Sequence, residues 1–371
     1  MTYVNLGKSG LKVSRLALGC MTYGDPKAGT HDWALGEAEA RPFIRQAIEA
    51  GINFFDTADA YSAGASEEVV GKLLKEHARR EDIVIATKVH FPVGKGGPNR
   101  QGLSRKALMA ACDASLKRLG TDFIDLYQIH RWDPQTPVEE TLQTLDDLIR
   151  AGKVRYIGAS SMYAWQFSKA LYTSTINGWA RFVSMQPHYN LLYREEEREI
   201  IPLCQDQGVG VIPWSPLARG RLTKVASDSD RSRLDPFAQS LYLAEDEKII
   251  ETVARIAKAR GIPMAQVALA WTSSRPGITA PIIGATKPHH ITDAVAALSV
   301  GLTDQEVADL ERGYTREPYR ACRAEPARRR PLAADAASHV DSAVGPGHAG
   351  ASTKTGCYRK SRYKPPKKFD L

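Results

Sequence analysis

Within the segments FFDTADAY, ATK and LYQIHRWD stand an acid, a phenol, an amine and an imidazole: Asp56, Tyr61, Lys88 and His130. Each closes or follows a short apolar run, so the four fall at the ends of three successive predicted strands. A tyrosine, with an ordinary pKa near 10, exchanges protons readily at neutral pH only when something favours its phenolate. A neighbouring ammonium does that. Reducing a carbonyl needs such a group, a proton donor beside the oxygen that becomes an alkoxide, held among groups that stabilise negative charge. Asp56 is expected to pair with Lys88 and fix it, and His130 to donate a hydrogen bond to the carbonyl oxygen. Taken singly, each has a plainer use, as a turn cap, a half-buried aromatic or a structural polar group. Their joint placement argues for chemistry.

The elements that must position them are read from apolar runs at Arg15–Gly19, Asn53–Thr57, Ile83–Val89, Phe123–His130, Val154–Ser160, Phe182–Gln186, Gly210–Trp214 and Ala280–Gly284. Amphipathic stretches lie between them. Phe43, Ile44, Ala47 and Ile48 share one helix face, as do Leu142, Leu145, Leu148 and Ile149 before the stop at Ala151-Gly152. Ser66 and Ser104 are predicted N-caps. Strands alternating with helices give a closed barrel or a doubly wound sheet. The count of eight favours a (β/α)8 barrel, as does the lack of GxGxxG after the first strand. In such a barrel catalytic groups come from the C-terminal strand ends. Val4–Leu6 and Leu11–Val13, flanking Gly7-Lys8-Ser9-Gly10, predict an N-terminal β-hairpin plugging the bottom. Leu217–Ala244 is too long for an ordinary connection and is expected to be a functional loop.

The formal charge of +8 is not spread evenly. From Tyr314 onward stand eight Arg and five Lys against two Glu and three Asp, so residues 1–313 are neutral. The expected division is a barrel over residues 1–313 and a basic, low-complexity C-terminal tail over 314–371, without periodicity. Tyr358, Tyr363 and Phe369 interleave with its cations, yet no specific nucleic-acid partner is expected. Five widely spaced cysteines, with no CxxC pair, argue against a disulfide framework or a structural zinc site. Adjacent His289 and His290 point apart on a helix, so no metal is expected. No signal-peptide core and no span of roughly 20 apolar residues stand out, and a cytoplasmic protein is the expectation.

The ordered segments resemble the catalytic tetrad of the aldo-keto reductases, and the resemblance runs over residues 2–311 or so. It implies a (β/α)8 barrel that binds extended NADP(H) without a Rossmann domain, with Asp56, Lys88 and His130 around Tyr61 as general acid/base. It also implies Ser160, Ser161 and Gln186 at the nicotinamide carboxamide and Trp214 stacked on the ring. Ser215, Leu217, Arg219 and Arg221 would wrap the pyrophosphate. Gly284, Thr286, Lys287, His290 and Asp293 would hold the adenosine 2′-phosphate and adenine at a helix N-terminus. The resemblance makes NADPH the expected cofactor, with NADH as a weaker one, although this chain departs from many relatives, which carry asparagine at Ser161 and Ala294 and arginine or glutamine near His290. Tyr23, Trp33 and Trp132 are expected to wall a mouth suited to small aldehydes, ketones or open-chain sugars. A second reading is a cofactor-sensing subunit with slow turnover, like the potassium-channel β subunits. Oligomeric state is not legible.

Overall fold

The computed structural model describes residues 1–28, 33–94, 97–225, 241–242 and 246–314. Its main sheet has eight parallel strands: β3 (Ala17–Gly19), β4 (Phe54–Asp56), β5 (Val84–Val89), β6 (Ile124–Ile129), β7 (Val154–Ser160), β8 (Ser184–Gln186), β9 (Gly210–Val211) and β10 (Ile282–Ile283). They follow in chain order, with β10 beside β3. The remaining seam is closed by the segment leading into β10. Thr279 N–H donates to the Val211 carbonyl at 2.8 Å and Ile282 N–H to Pro213 at 2.9 Å, while Ala17 N–H donates to Pro281 at 3.0 Å. One segment thus bonds both neighbours, and the expected (β/α)8 barrel forms. Each observed strand lies inside the run read for it from the sequence.

The strands are buried on both faces, which is why they read as near-continuous apolar runs. Alternation then sorts their side chains. Ala17, Phe54, Val84, Leu126 and Ile212 meet inside the lower barrel. Leu18, Phe55, Ile85, Tyr127 and Ile157 face outward into the helical layer. The predicted hairpin is present as β1 (Tyr3–Asn5) and β2 (Lys12–Ser14), paired antiparallel through Val4 and Val13. Its Leu6 and Val13 complete the inner cluster from below. Gly7, at φ 61°, lets the turn lie on the barrel rim, since a Cβ there would sit 2.5 Å from the Gly208 carbonyl oxygen.

The surrounding helices are α1 (Glu37–Glu49), α2 (Ala65–His77), α3 (Arg105–Leu119), α4 (Val138–Arg150), α5 (Ala164–Asn177), α6 (Ile200–Gln207), α7 (Glu247–Arg260), α8 (Met264–Ser274), α9 (Pro288–Ala297) and α10 (Asp304–Arg312). In α4 the predicted apolar face is the buried one, with Leu142, Leu145 and Leu148 inside. Ser104 caps α3 as expected, accepting from the Ala107 amide. Ser66 does not cap α2. The helix starts one residue before it, after Gly64 at φ 99°, and the Ser66 hydroxyl instead donates to the Cys20 carbonyl at 2.9 Å. Of the long Leu217–Ala244 loop, residues 217–225 and 241–242 are described. Tyr314, read as the first tail residue, is anchored: its hydroxyl donates to Glu195 Oε1 at 2.7 Å and its ring lies by the Arg194 guanidinium. The rest of the expected tail, 315–371, lies outside the described residues.

Candidate active site

Inward-facing positions at the C-terminal strand ends converge on one buried polar cluster. Asp56 ends β4, Lys88 lies near the end of β5, Gln128 and His130 share a face of β6 and its extension, and Gln186 ends β8. The register sets Lys88 beside Gln128, and Gln128 beside Gly158 of β7. A side chain there would displace Ser184 and crowd Gln128, because a Cβ would lie 2.3 Å from Ser184 Oγ and 3.1 Å from Gln128 Cγ.

The Lys88 ammonium is fully buried and spends its three protons on three acceptors. They are Asp56 Oδ1 at 2.5 Å, the Thr57 carbonyl at 2.9 Å and Tyr61 Oη at 3.2 Å. The second carboxylate oxygen of Asp56 accepts from Gln128 Nε2 and Gln186 Nε2, each at 2.9 Å. A buried ion pair is tolerable only when its remaining lone pairs and protons are satisfied in this way. Burial opposes the ammonium, but the Asp56 charge, the Tyr61 oxygen and the hydrogen bonds from Lys88 to both outweigh it and hold the Lys88 pKa up. Lys88 therefore remains a cation.

Tyr61 opens a turn whose next residues are all left-handed: Ser62 at φ 47°, Ala63 at 52° and Gly64 at 99°. Such conformations persist where the surroundings over-determine them. Here Ser66 meets Thr57 Oγ1 at 2.8 Å, and the wholly buried Glu67 accepts from Thr87 Oγ1 and pairs with Arg118. Buried Asp59 lies in the same turn. Burial, reinforced by the Glu67 charge, raises its carboxyl to about 8, so it is largely protonated at neutrality.

His130 stands edge-on to Tyr61, with ring centroids 5.8 Å apart, and Phe91 meets it at 5.0 Å. Burial, then the Lys88, Arg131 and His90 charges, hold its pKa well below the usual range, so the imidazole is neutral. Its Nδ1 is buried without a hydrogen-bond partner among the described residues.

Around the tetrad lie the later strand ends. Ser160 Oγ donates to the Gln186 carbonyl at 2.9 Å. Ser161, at φ 44°, accepts from Trp214 Nε1 at 3.0 Å. Beyond Trp214 the backbone is left-handed at Ser215, Ala218, Arg219 and Gly220. Among the described residues nothing accepts from the amides of Ser215 and Leu217. Left-handed turns of this kind gather N–H groups into a concavity that suits an anion. Arg221 pairs with Asp246 at 3.6 Å and Glu247 at 3.0 Å, so its charge serves protein carboxylates. Gly284 is exposed, and a Cβ on it would meet only Thr22 Oγ1, at 3.9 Å. Lys287 precedes α9, whose N-terminus has no side-chain cap. The Thr286 amide donates to His290 Nδ1 at 3.2 Å, and Asp293 accepts from Gln266 at 3.0 Å.

The family model described as "Aldo/keto reductase family" matches residues 15–314. The chain belongs to that family. Similar curated proteins include the versiconal hemiacetal acetate reductase of Aspergillus parasiticus, 45% identical over 337 residues that cover 85% of this chain and 97% of the relative. A Schizosaccharomyces pombe chain bearing an aryl-alcohol dehydrogenase name is 44% identical, covering 85% and 96%. An aldo-keto reductase of Fusarium vanettenii is 42% identical, covering 85% and 92%. As an aldo/keto reductase, the chain is an oxidoreductase of carbonyl groups.

The substrate walls of this aldo/keto reductase differ from expectation. Tyr23 is fully buried, donates to the Ala285 carbonyl at 2.9 Å and stacks on Phe43 of α1. It offers a substrate no surface. Trp132 is half-buried, edge-on to Trp165 of α5 at 6.2 Å. Trp33 is half-buried beside residues 29–32, which lie outside the description. Phe91, partly exposed against His130, went unread. So did Gln128, although its place two residues before His130 puts it on the same strand face.

Buried histidines give the fold a testable pH dependence. Burial, with Arg219 and Arg131 adding, lowers His188 to about 3. Its unfolded value is near 6.5, so the unfolded chain binds the extra proton first as pH falls, and stability present above 6.5 is lost below it. His188→Phe removes that liability. Relative to the wild type, the variant should gain about 2 kcal/mol between pH 7 and pH 5, measurable by urea unfolding at both. A constant difference would mean that His188 takes up its proton as readily in the fold as in the unfolded chain.

Proposed function

We propose that this family member reduces small aldehydes and ketones with NADPH, with Tyr61 as general acid/base. The observation that carries the reading is the Lys88 ammonium, fully buried, paired with Asp56 and 3.2 Å from Tyr61 Oη. The residues present fit a nicotinamide cofactor. Trp214 offers a flat ring, the Ser215 and Leu217 amides have no acceptor among the described residues, and a Cβ on the exposed Gly284 would meet only Thr22 Oγ1, at 3.9 Å. Trp214 would hold the nicotinamide, Ser215–Arg219 the pyrophosphate, and Lys287 with the α9 N-terminus the 2′-phosphate.

The bound cofactor supplies the hydride. The protein supplies the proton and the field around it. The carbonyl oxygen would lie between Tyr61 Oη and the His130 imidazole, and Tyr61 would protonate it as negative charge develops there. The resulting phenolate is held by the Lys88 ammonium, which Asp56 pins. Gln128 and Gln186 fix Asp56, so the whole set moves little during turnover. Ser160, Ser161 and the Gln186 amide oxygen would orient the carboxamide. Phe91 against His130 favours aromatic or apolar carbonyl substrates, in keeping with relatives named for aryl alcohols and a hemiacetal acetate.

Cofactor choice is tested at Lys287. Lys287→Ala should weaken NADPH binding about tenfold to a hundredfold and leave NADH nearly unchanged, because only the former carries the 2′-phosphate. Calorimetric titration of both cofactors reads it. Equal losses for both would move the phosphate site, with Arg219 or Arg221 the next candidates.

A further inference from the structure

His188 is fully buried two residues beyond the end of β8, at the centre of a stack of three rings. Its imidazole lies 4.2 Å from the Trp214 indole at an interplanar angle of 11°, and 4.5 Å from the Tyr193 ring at 16°. The stack is registered by the backbone, because His188 and Trp214 form a parallel bridge and Trp214 N–H donates to the Pro187 carbonyl at 2.9 Å. The indole is therefore held on one face by His188 and at its edge by Ser161 Oγ.

The polar edge of the same imidazole meets described residues of the segment that follows β9. His188 Nε2 is 3.0 Å from Tyr242 Oη and 3.1 Å from Asn190 Nδ2. Asn190 also donates to the carbonyl of Ser215, the residue after Trp214. One buried ring thus joins the indole, the start of the loop at Ser215 and Tyr242 on the far side of residues 226–240. A leucine of similar size could fill the volume but not stack. A phenylalanine could stack but not bond Tyr242. Burial keeps the imidazole neutral, so no charge sits beneath the indole.

We propose that His188 is a positioning residue for the cofactor: its ring holds the Trp214 indole flat and fixed, which presents the opposite indole face to the nicotinamide. This rests on the nicotinamide reading above. His188 touches neither cofactor nor substrate and acts through Trp214.

The test compares wild type, His188→Leu and His188→Phe in the full chain, each first shown to unfold cooperatively. With the stack lost, His188→Leu should raise the NADPH Kd at least tenfold and slow hydride transfer in single turnovers. The carbonyl KM at saturating cofactor should stay within twofold. His188→Phe keeps a flat ring and should return the Kd to within about threefold of wild type. A folded His188→Leu with wild-type affinity and transfer rate would overturn the proposal. So would a His188→Phe no better than His188→Leu, since the polar tether would then be what matters. Cofactor-free protein carrying 5-fluorotryptophan gives a second readout. Its Trp214 resonance should be narrow in wild type and His188→Phe and broadened in His188→Leu, and an unchanged width would overturn the proposal. A wild type that binds neither NADPH nor NADH would sink the nicotinamide reading instead, and the width of that resonance would still decide whether His188 holds the ring.

Discussion

Tyr61→Phe will turn over small aldehydes roughly 10²–10⁴-fold more slowly than the wild type, the usual size of a lost general acid. The ring stays, so its edge contact with His130 and the fold around it should persist. What goes is the oxygen that accepts the Lys88 hydrogen bond. No cofactor contact is assigned to that oxygen, so NADPH should bind Tyr61→Phe with wild-type affinity. A steady-state assay beside a calorimetric titration separates the two. Full activity in the variant would remove Tyr61 from the chemistry, and a lost cofactor affinity would give it a different role.

Replacing Lys88 by methionine has a larger structural cost. The Asp56 carboxylate would keep two amide donors but lose its counter-ion in a site closed to water. Breaking one side of a buried pair typically costs about 3–5 kcal/mol. Lys88→Met should accordingly lower the melting temperature by on the order of 10 °C and abolish measurable reduction. Asp56→Asn combined with Lys88→Met removes both charges and should recover most of the stability while remaining inactive. If the double variant were no more stable than Lys88→Met alone, packing rather than an orphaned charge would explain the loss. If Lys88→Met kept activity, the ammonium would not be what holds the phenolate.

The tetrad was legible because its members cluster at the ends of successive strands. Asp56, Lys88 and His130 each stand at an inward position within one residue of a strand's C-terminal end, and a strand's face can be counted along the chain. Gln128 obeys the same count and was missed only because an amide in LYQIH has no conspicuous chemistry until Asp56 needs a second donor. Contacts between distant segments were not legible. The stack of His188 on Trp214 depends on adjacent strand ends, and the pairing of Arg221 with Asp246 and Glu247 spans the long loop. Tyr23 misled for a local reason. It follows the first barrel strand, where a mouth residue belongs, but the chain turns there. Gly24 lies so close to Ser62 that a Cβ would sit 2.4 Å from its Oγ, and Tyr23 is directed into the helical layer. Ser66 looked like a cap because its sequence is one, yet the left-handed Gly64 starts the helix ahead of it.

The most direct measurement is the fate of the hydride. The wild-type protein is supplied with NADPH deuterated at nicotinamide C4 and an aromatic aldehyde, and the alcohol is analysed by NMR and mass spectrometry. One deuterium on the carbinol carbon, delivered from a single nicotinamide face and at a rate that collapses in Tyr61→Phe, is the expected result. Alcohol without deuterium, or no reduction of any small aldehyde or ketone with either NADPH or NADH, would contradict it.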